Sequence, residues 1–126
     1  QPCAYTTTPR REDFLSIKHQ YHYFDQPKNI AVFDSKKMAK QTLFKSDRLL
    51  VGLNCFEPGQ KHKLHSHKGM DKVYQVVDGT GLFLLEDQEM PMKTGCILVA
   101  PENVPHGILN NSENPLIVLV VLAPSP

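Results

Sequence analysis

The chain is 126 residues long, 40% hydrophobic and 21% charged, close to the commonest domain size and able to bury one core without staples. With 14 Lys and Arg against 13 Asp and Glu, it has no long-range field that favours nucleic acid or an acidic membrane surface, and neither partner is expected. The longest apolar run, LIVLVVLA near the C-terminus, has the length of a strand and excludes a transmembrane helix.

In chain order, DFLSIKHQYHYF allows a short helix or an irregular arm. His19 and His22 within it are expected to pack on a neighbour rather than to hold metal. NIAVF reads as a first strand, and SKKMAKQTLF as another short helix or irregular arm. LLVGLNCF, KVYQVV, GLFLL, CILVA and LIVLVVL are rich in β-branched and aromatic residues, and each is bounded by Gly, Pro, Asn or Asp. Pro58-Gly59, Asp78-Gly79, Thr94-Gly95 and Asn110-Asn111 supply turns, and none of these segments has a helical period. The pattern is all-β, and ten prolines argue for a barrel with irregular ends. No internal repeat is long enough for a second barrel.

Successive residues of a strand point to opposite faces, so His65 and His67 share one face with Ser66 on the other. That is a chelating spacing. His106 comes from a distant strand end, and a third imidazole from elsewhere is what a facial three-nitrogen metal site needs. His62, odd against His65, is expected to face outward. Met70 and Lys72 break the pattern of a dinuclear zinc hydrolase, and no HExxH supports a zinc protease.

Two segments carry a family resemblance. Gly59, His65, His67 and Gly79 fit the first cupin motif, and Gly95, Pro101, His106 and Asn110 fit the second at the right spacing. The chain therefore resembles a small single-domain cupin, which implies a double-stranded β-helix, jelly-roll-like barrel. On this reading residues 1–28 form an N-terminal arm or extension and 29–126 the barrel. Asn103 replaces a motif glycine, a mild change because asparagine tolerates the left-handed conformation. The motif's glutamate position falls on Lys72, with Asp71 beside it as a possible fourth ligand.

The distance to Gly79 favours Lys72, Tyr74 and Val76 facing inward, with Asp71 on the rim; a slip of one residue would exchange the whole set. Inward, Lys72 becomes an anchor for a substrate carboxylate or enolate, and Tyr74 a pocket wall. Without ligand, Lys72 is expected to swing to the rim and pair with Asp71. Met70, Met90 and Met92 read as packing or interface residues.

Three imidazoles suit a divalent transition metal: Fe, Mn, Ni, Cu, Co or Zn. The resemblance implies dioxygenase or isomerase chemistry on a small oxygenated or anionic substrate. The alternative is a non-catalytic binding or sensory cupin holding a sugar or small acid, with a structural metal. Outward Val73 and Val77 and the C-terminal run leave apolar area that predicts a homodimer, with Tyr21, Tyr23 and Phe24 lying across the partner. Cys55 and Cys96 sit in apolar runs and read as small buried hydrophobes; Cys3 is undetermined. Cytoplasm is the default compartment, while a first residue of Gln rather than Met leaves room for a removed targeting peptide.

Overall fold

A computed structural model describes residues 21–126, so the expectations for Cys3 and His19 lie outside the described residues. Among the described residues, a four-residue helix α1 (Pro27–Ile30) precedes nine strands: β1 (Ala39–Lys45), β2 (Leu50–Phe56), β3 (Lys61–His65), β4 (Asp71–Asp78), β5 (Thr80–Leu85), β6 (Glu89–Lys93), β7 (Ile97–Ala100), β8 (His106–Leu109) and β9 (Leu116–Ala123). They form two antiparallel sheets, ordered β1-β2-β9-β4-β7 and β3-β8-β5-β6. This is the all-β, double-stranded β-helix barrel expected from the sequence. No helix among the described residues is long and apolar enough to cross a membrane.

Two segments depart from expectation for a common reason. NIAVF is not a strand: α1 ends at Ile30, and the backbone beyond it is satisfied by a side chain. Gln41 donates from Nε2 to the Ile30 carbonyl at 2.8 Å and accepts the Val32 N–H at 3.0 Å. SKKMAKQTLF, expected to be helical or irregular, instead supplies β1, paired along β2 from Ala39↔Cys55 to Lys45↔Leu50. Gln41 thus lets a strand hold an irregular segment across its outer face, which keeps the segment's polar backbone paired.

The main core lies between the sheets, where Phe56, Val76, Phe83, Ile108, Leu116 and Val118 interlock. A second cluster of Leu53, Cys55 and Ile117 lies on the outer face of the five-stranded sheet, under Ile30, Ala31 and Phe33. Val77 packs into this cluster, so it is covered within the chain rather than left for a partner. Val73, Ile97 and Val99 do remain exposed on the same outer face, at 38%, 62% and 57%. Cys55 is buried, Cys96 is partly buried against the core, and both are free thiols.

Burial along β4 alternates, with Lys72, Tyr74 and Val76 buried and Asp71 and Val73 exposed. The register expected from Gly79 is therefore the one found. Gly79 has φ of 104°, and a Cβ there would meet the Pro115 carbonyl oxygen at 2.6 Å, so the turn after β4 needs glycine on two counts. Asn103 adopts φ of 64°, in the left-handed region that asparagine tolerates.

Candidate functional site

The histidine corner is built by an irregularity between β3 and β8. His62 lies opposite Ile108 and His65 opposite His106, so Lys63 and Leu64 together face Gly107. This β-bulge puts both His62 and His65 on the barrel side although they are three residues apart. A Cβ on Gly107 would sit 2.6 Å from the His62 carbonyl oxygen and 3.0 Å from the Leu64 nitrogen. Only glycine admits the bulged backbone there. The expectation that His62 faces outward is overturned, because a bulge breaks the alternation on which it rested. The His62 ring stacks on His65 with centroids 4.1 Å apart, and its Nδ1 is buried without a partner among the described residues.

His67 follows just after β3, and its carbonyl accepts the Asn103 N–H at 2.7 Å, tying the first histidine pair to the loop before β8. The ligand-capable nitrogens of His65, His67 and His106 all lie within 4.8 Å of one another. Small side-chain movements bring such a set to the roughly 3.3 Å spacing of imidazoles around one tetrahedral ion with metal–nitrogen bonds of about 2.0–2.1 Å. The backbone fixes the tautomers. His65 Nδ1 lies 2.7 Å from the Lys63 carbonyl oxygen and His106 Nδ1 2.8 Å from that of Val104. A carbonyl only accepts, so each Nδ1 carries the proton and each Nε2 presents its lone pair.

Electrostatics favours the same state. Burial pushes His106 down to about 4 and His62 down to about 3, and it lowers His65 and His67 as well, with Lys72 and Lys40 adding to the effect on both. Neutral imidazoles, the form a metal needs, are thus held well below neutral pH. His106 Nε2 is buried and has no hydrogen-bond partner among the described residues. These three histidines are positioned to bind a metal ion.

Lys72 does not swing to the rim, contrary to the expectation for the ligand-free protein. It is 5% exposed, its Nζ stands 3.3 Å from His65 Nε2, and it lies 6.0 Å from the centre of the Tyr74 ring. The reason is that Asp71 points the other way, its Oδ1 accepting the Glu102 N–H at 2.9 Å. Asp71 is accordingly not brought into the histidine cluster. Burial, reinforced by the charge of Lys40, lowers Lys72 to about 8. Burial also raises Tyr74, which stays a neutral phenol.

Beside the histidines lies a cavity of about 230 Å³, with His62, His67, Lys72 and Tyr74 on its wall. Sequence reasoning missed two further wall residues, Lys40 and Asn54. They are paired neighbours on β1 and β2. The signal was present: Asn54 is a polar interruption in LLVGLNCF at the inward position between Gly52 and Phe56. Within the chain, the His22 ring lies 4.9 Å from that of Phe44.

A family model described as a cupin domain matches residues 52–122. Among solved structures, TT1209 from Thermus thermophilus is 38% identical, superposes with a TM-score of 0.76, and covers 82% of this chain and 98% of its own. The oxalate-binding protein of Thermotoga maritima is 26% identical over 85 residues, 68% of this chain and 69% of that protein. Auxin-binding protein 4 of Zea mays is 33% identical over 86 residues, 60% of this chain. The chain spans 42% of the maize protein and 49% of another curated relative, about half the length of each.

Proposed function

The chain belongs to the cupin family, and from that premise we propose that it holds one divalent transition metal between His65, His67 and His106 and acts on a small oxygenated anion, as a dioxygenase or isomerase. The observation that carries this reading is the buried, unpartnered Nε2 of His106, set in its tautomer by the Val104 carbonyl. An orphaned buried nitrogen is costly unless something binds it. Iron, manganese, nickel, copper, cobalt and zinc all accept imidazole, and when bound such an ion supplies Lewis acidity or redox chemistry at its open positions. The chain's own part is to orient: Lys72 holds the ligand's carboxylate or enolate, Tyr74 supplies a wall with a hydroxyl, and the barrel excludes water.

A second reading, a non-catalytic cupin that binds a small acid, draws support from two facts. No Asp or Glu among the described residues lines the cavity to serve as general acid or base, and two relatives are named for binding rather than turnover. Oxygen uptake by the iron or manganese protein against a panel of diketones and hydroxy acids supports catalysis; tight binding with no turnover supports the second reading.

The test of the central reading is metal analysis of protein purified without chelator or histidine tag. About one transition metal per chain is expected, reduced strongly by His65→Ala or His106→Ala. Metal-free protein that refuses every divalent ion overturns it. A homodimer through the outer face at Val73, Ile97 and Val99 is part of the proposal, and light scattering that gives a monomer at micromolar concentration overturns that part. A cytoplasmic setting completes it, supported by the free thiols of Cys55 and Cys96.

A further inference from the structure

The cavity has two polar ends and an apolar floor. Inward-facing positions of the five-stranded sheet form rows across the strands. One row runs Lys72–Leu122–Leu50, the next Tyr74–Val120–Gly52–Thr42, and the third Val76–Val118–Asn54–Lys40. Lys72 and Lys40 therefore stand at opposite corners, three strands apart and two rows apart, roughly 14 Å across and about 13 Å along the sheet at their backbones. Both line the one cavity, and the charge of Lys40 acts on Lys72 across it. The floor beneath is Val120 and Gly52, and a Cβ at Gly52 would lie 2.7 Å from the Gln41 carbonyl oxygen, so that part of the floor stays low.

Each end carries a neutral hydrogen-bonding group that the protein leaves unused. Asn54 is 5% exposed and Tyr74 1% exposed, and neither the amide nor the phenol hydroxyl makes a hydrogen bond among the described residues. Lys40 lies directly across from Asn54 in the β1–β2 ladder, and Tyr74 is two residues from Lys72 on the same face of β4. Two cationic ends, each with a neutral hydrogen-bonding group open to the cavity, face a space whose wall holds no Asp or Glu among the described residues. Groups open to the cavity and free of protein partners are available to a ligand, and a hydrogen bond from a neutral group to a charged carboxylate is stronger than one between neutral groups.

We propose that this cavity is a two-ended dicarboxylate site. The inner carboxylate is held by Lys72 and Tyr74 beside the histidines, and the outer one by Lys40 and Asn54. The hydrocarbon spacer lies over Val120 and Gly52. A monocarboxylate answers only one end. This assignment rests on the reading of the histidines as a metal site with Lys72 as anion anchor, and it adds the ligand's second charge and its length.

The test is calorimetry on zinc-loaded protein with malonate, succinate, glutarate and adipate, each paired with the monocarboxylate of equal length, and with metal content measured on every sample. A spaced dicarboxylate is expected to bind about tenfold or more tighter than its monocarboxylate, the worth of one charge-assisted hydrogen bond. Lys40→Gln should bring that ratio to about one. Lys40 is on the surface end of β1, so Lys40→Glu should fold too, and it should shift preference from the dicarboxylate to the ω-amino acid of the same length. Equal affinity for dicarboxylate and monocarboxylate in metal-bearing wild type overturns the proposal, as does a Lys40→Gln variant that keeps the full ratio. A failure of the metal reading looks different, since that protein carries no metal at all.

Discussion

At the closed end of the barrel, Phe56, Val76, Ile108, Leu116 and Val118 are at most 1% exposed and make no polar demand on one another. At the open end, the same strands carry Asn54, Lys72, Tyr74 and His106, buried nearly as deeply but polar, and His106 Nε2 has no partner among the described residues. β2 passes from Asn54 to Phe56, β4 from Lys72 through Tyr74 to Val76, and β8 from His106 to Ile108, two residues at a time. Each strand thus changes from ligand-facing to core-forming within one or two inward positions. The contrast assigns stability to one end and binding to the other, and it can be broken at either. Phe56→Ala should cost about 3–5 kcal/mol in urea unfolding, through lost burial and the cavity left behind. His106→Ala should cost the metal-free protein much less and remove metal binding, since the imidazole it deletes has an unsatisfied nitrogen. Equal stability losses from the two would erase the distinction.

The bulge opposite Gly107 joins the two ends, so the next largest effect is expected there. Gly107→Ala forces a Cβ against the His62 carbonyl oxygen, where the obstacle is backbone and cannot rotate away. A loss of about 1–3 kcal/mol is expected, together with weakened metal binding, because restoring regular pairing turns His62 or His65 out of the barrel. Metal titration alongside urea unfolding checks both. An alanine variant of full stability and full metal affinity would show that the bulge tolerates a side chain.

These positions also show where the sequence could be read. His65, His67 and His106 were legible because alternation and motif spacing are local, and Gly79 set the register of β4 by a short count. His62 was not, since the bulge depends on a glycine in a strand that lies far off in sequence. β1 hid for a related reason: its inward residues Lys40 and Thr42 are polar and face the cavity, so the apolar alternation that marks a strand falls on its outer face, at Ala39 and Leu43. NIAVF has the composition of a strand, yet the side chain of Gln41 meets its backbone. Sequence pattern records which residues are apolar; it does not record which partner satisfies a backbone.

Protonation sharpens the comparison, because the open end should carry most of the pH dependence. Lys72 falls from 10.5 to about 8 in the fold, so the unfolded chain holds that proton more tightly, and the stability linked to it is present above about 10.5 and lost as pH falls through 8. At pH 7 the buried ammonium is a net cost. Lys72→Met should therefore stabilise the metal-free protein by about 2–3 kcal/mol at pH 7. His62 and His106 fall from 6.5 to about 3 and about 4, so their contribution is complete above 6.5 and declines as pH drops toward 4. The acid limb should survive in Lys72→Met. Unfolding curves from pH 4 to 10 test this, and a variant less stable than wild type at pH 7 would mean that Lys72 contributes packing beyond its charge.

The smallest effect is expected on the outer side of the same strand. Asp71 is the neighbour of Lys72, yet alternation turns its carboxylate to the rim, where one oxygen accepts the Glu102 N–H. Asn keeps that oxygen as an acceptor and changes only the charge, so Asp71→Asn should shift stability by no more than about 0.5 kcal/mol and leave metal content unchanged. The informative outcome is a loss of metal. Asp71 can enter the ligand set only if β4 slips by one residue, and such a slip would turn Lys72 and Tyr74 outward and put Val73 and Gln75 inside. One conservative substitution on the exposed face therefore checks the register on which the inner anion anchor, the cavity wall and the inward row of β4 all depend.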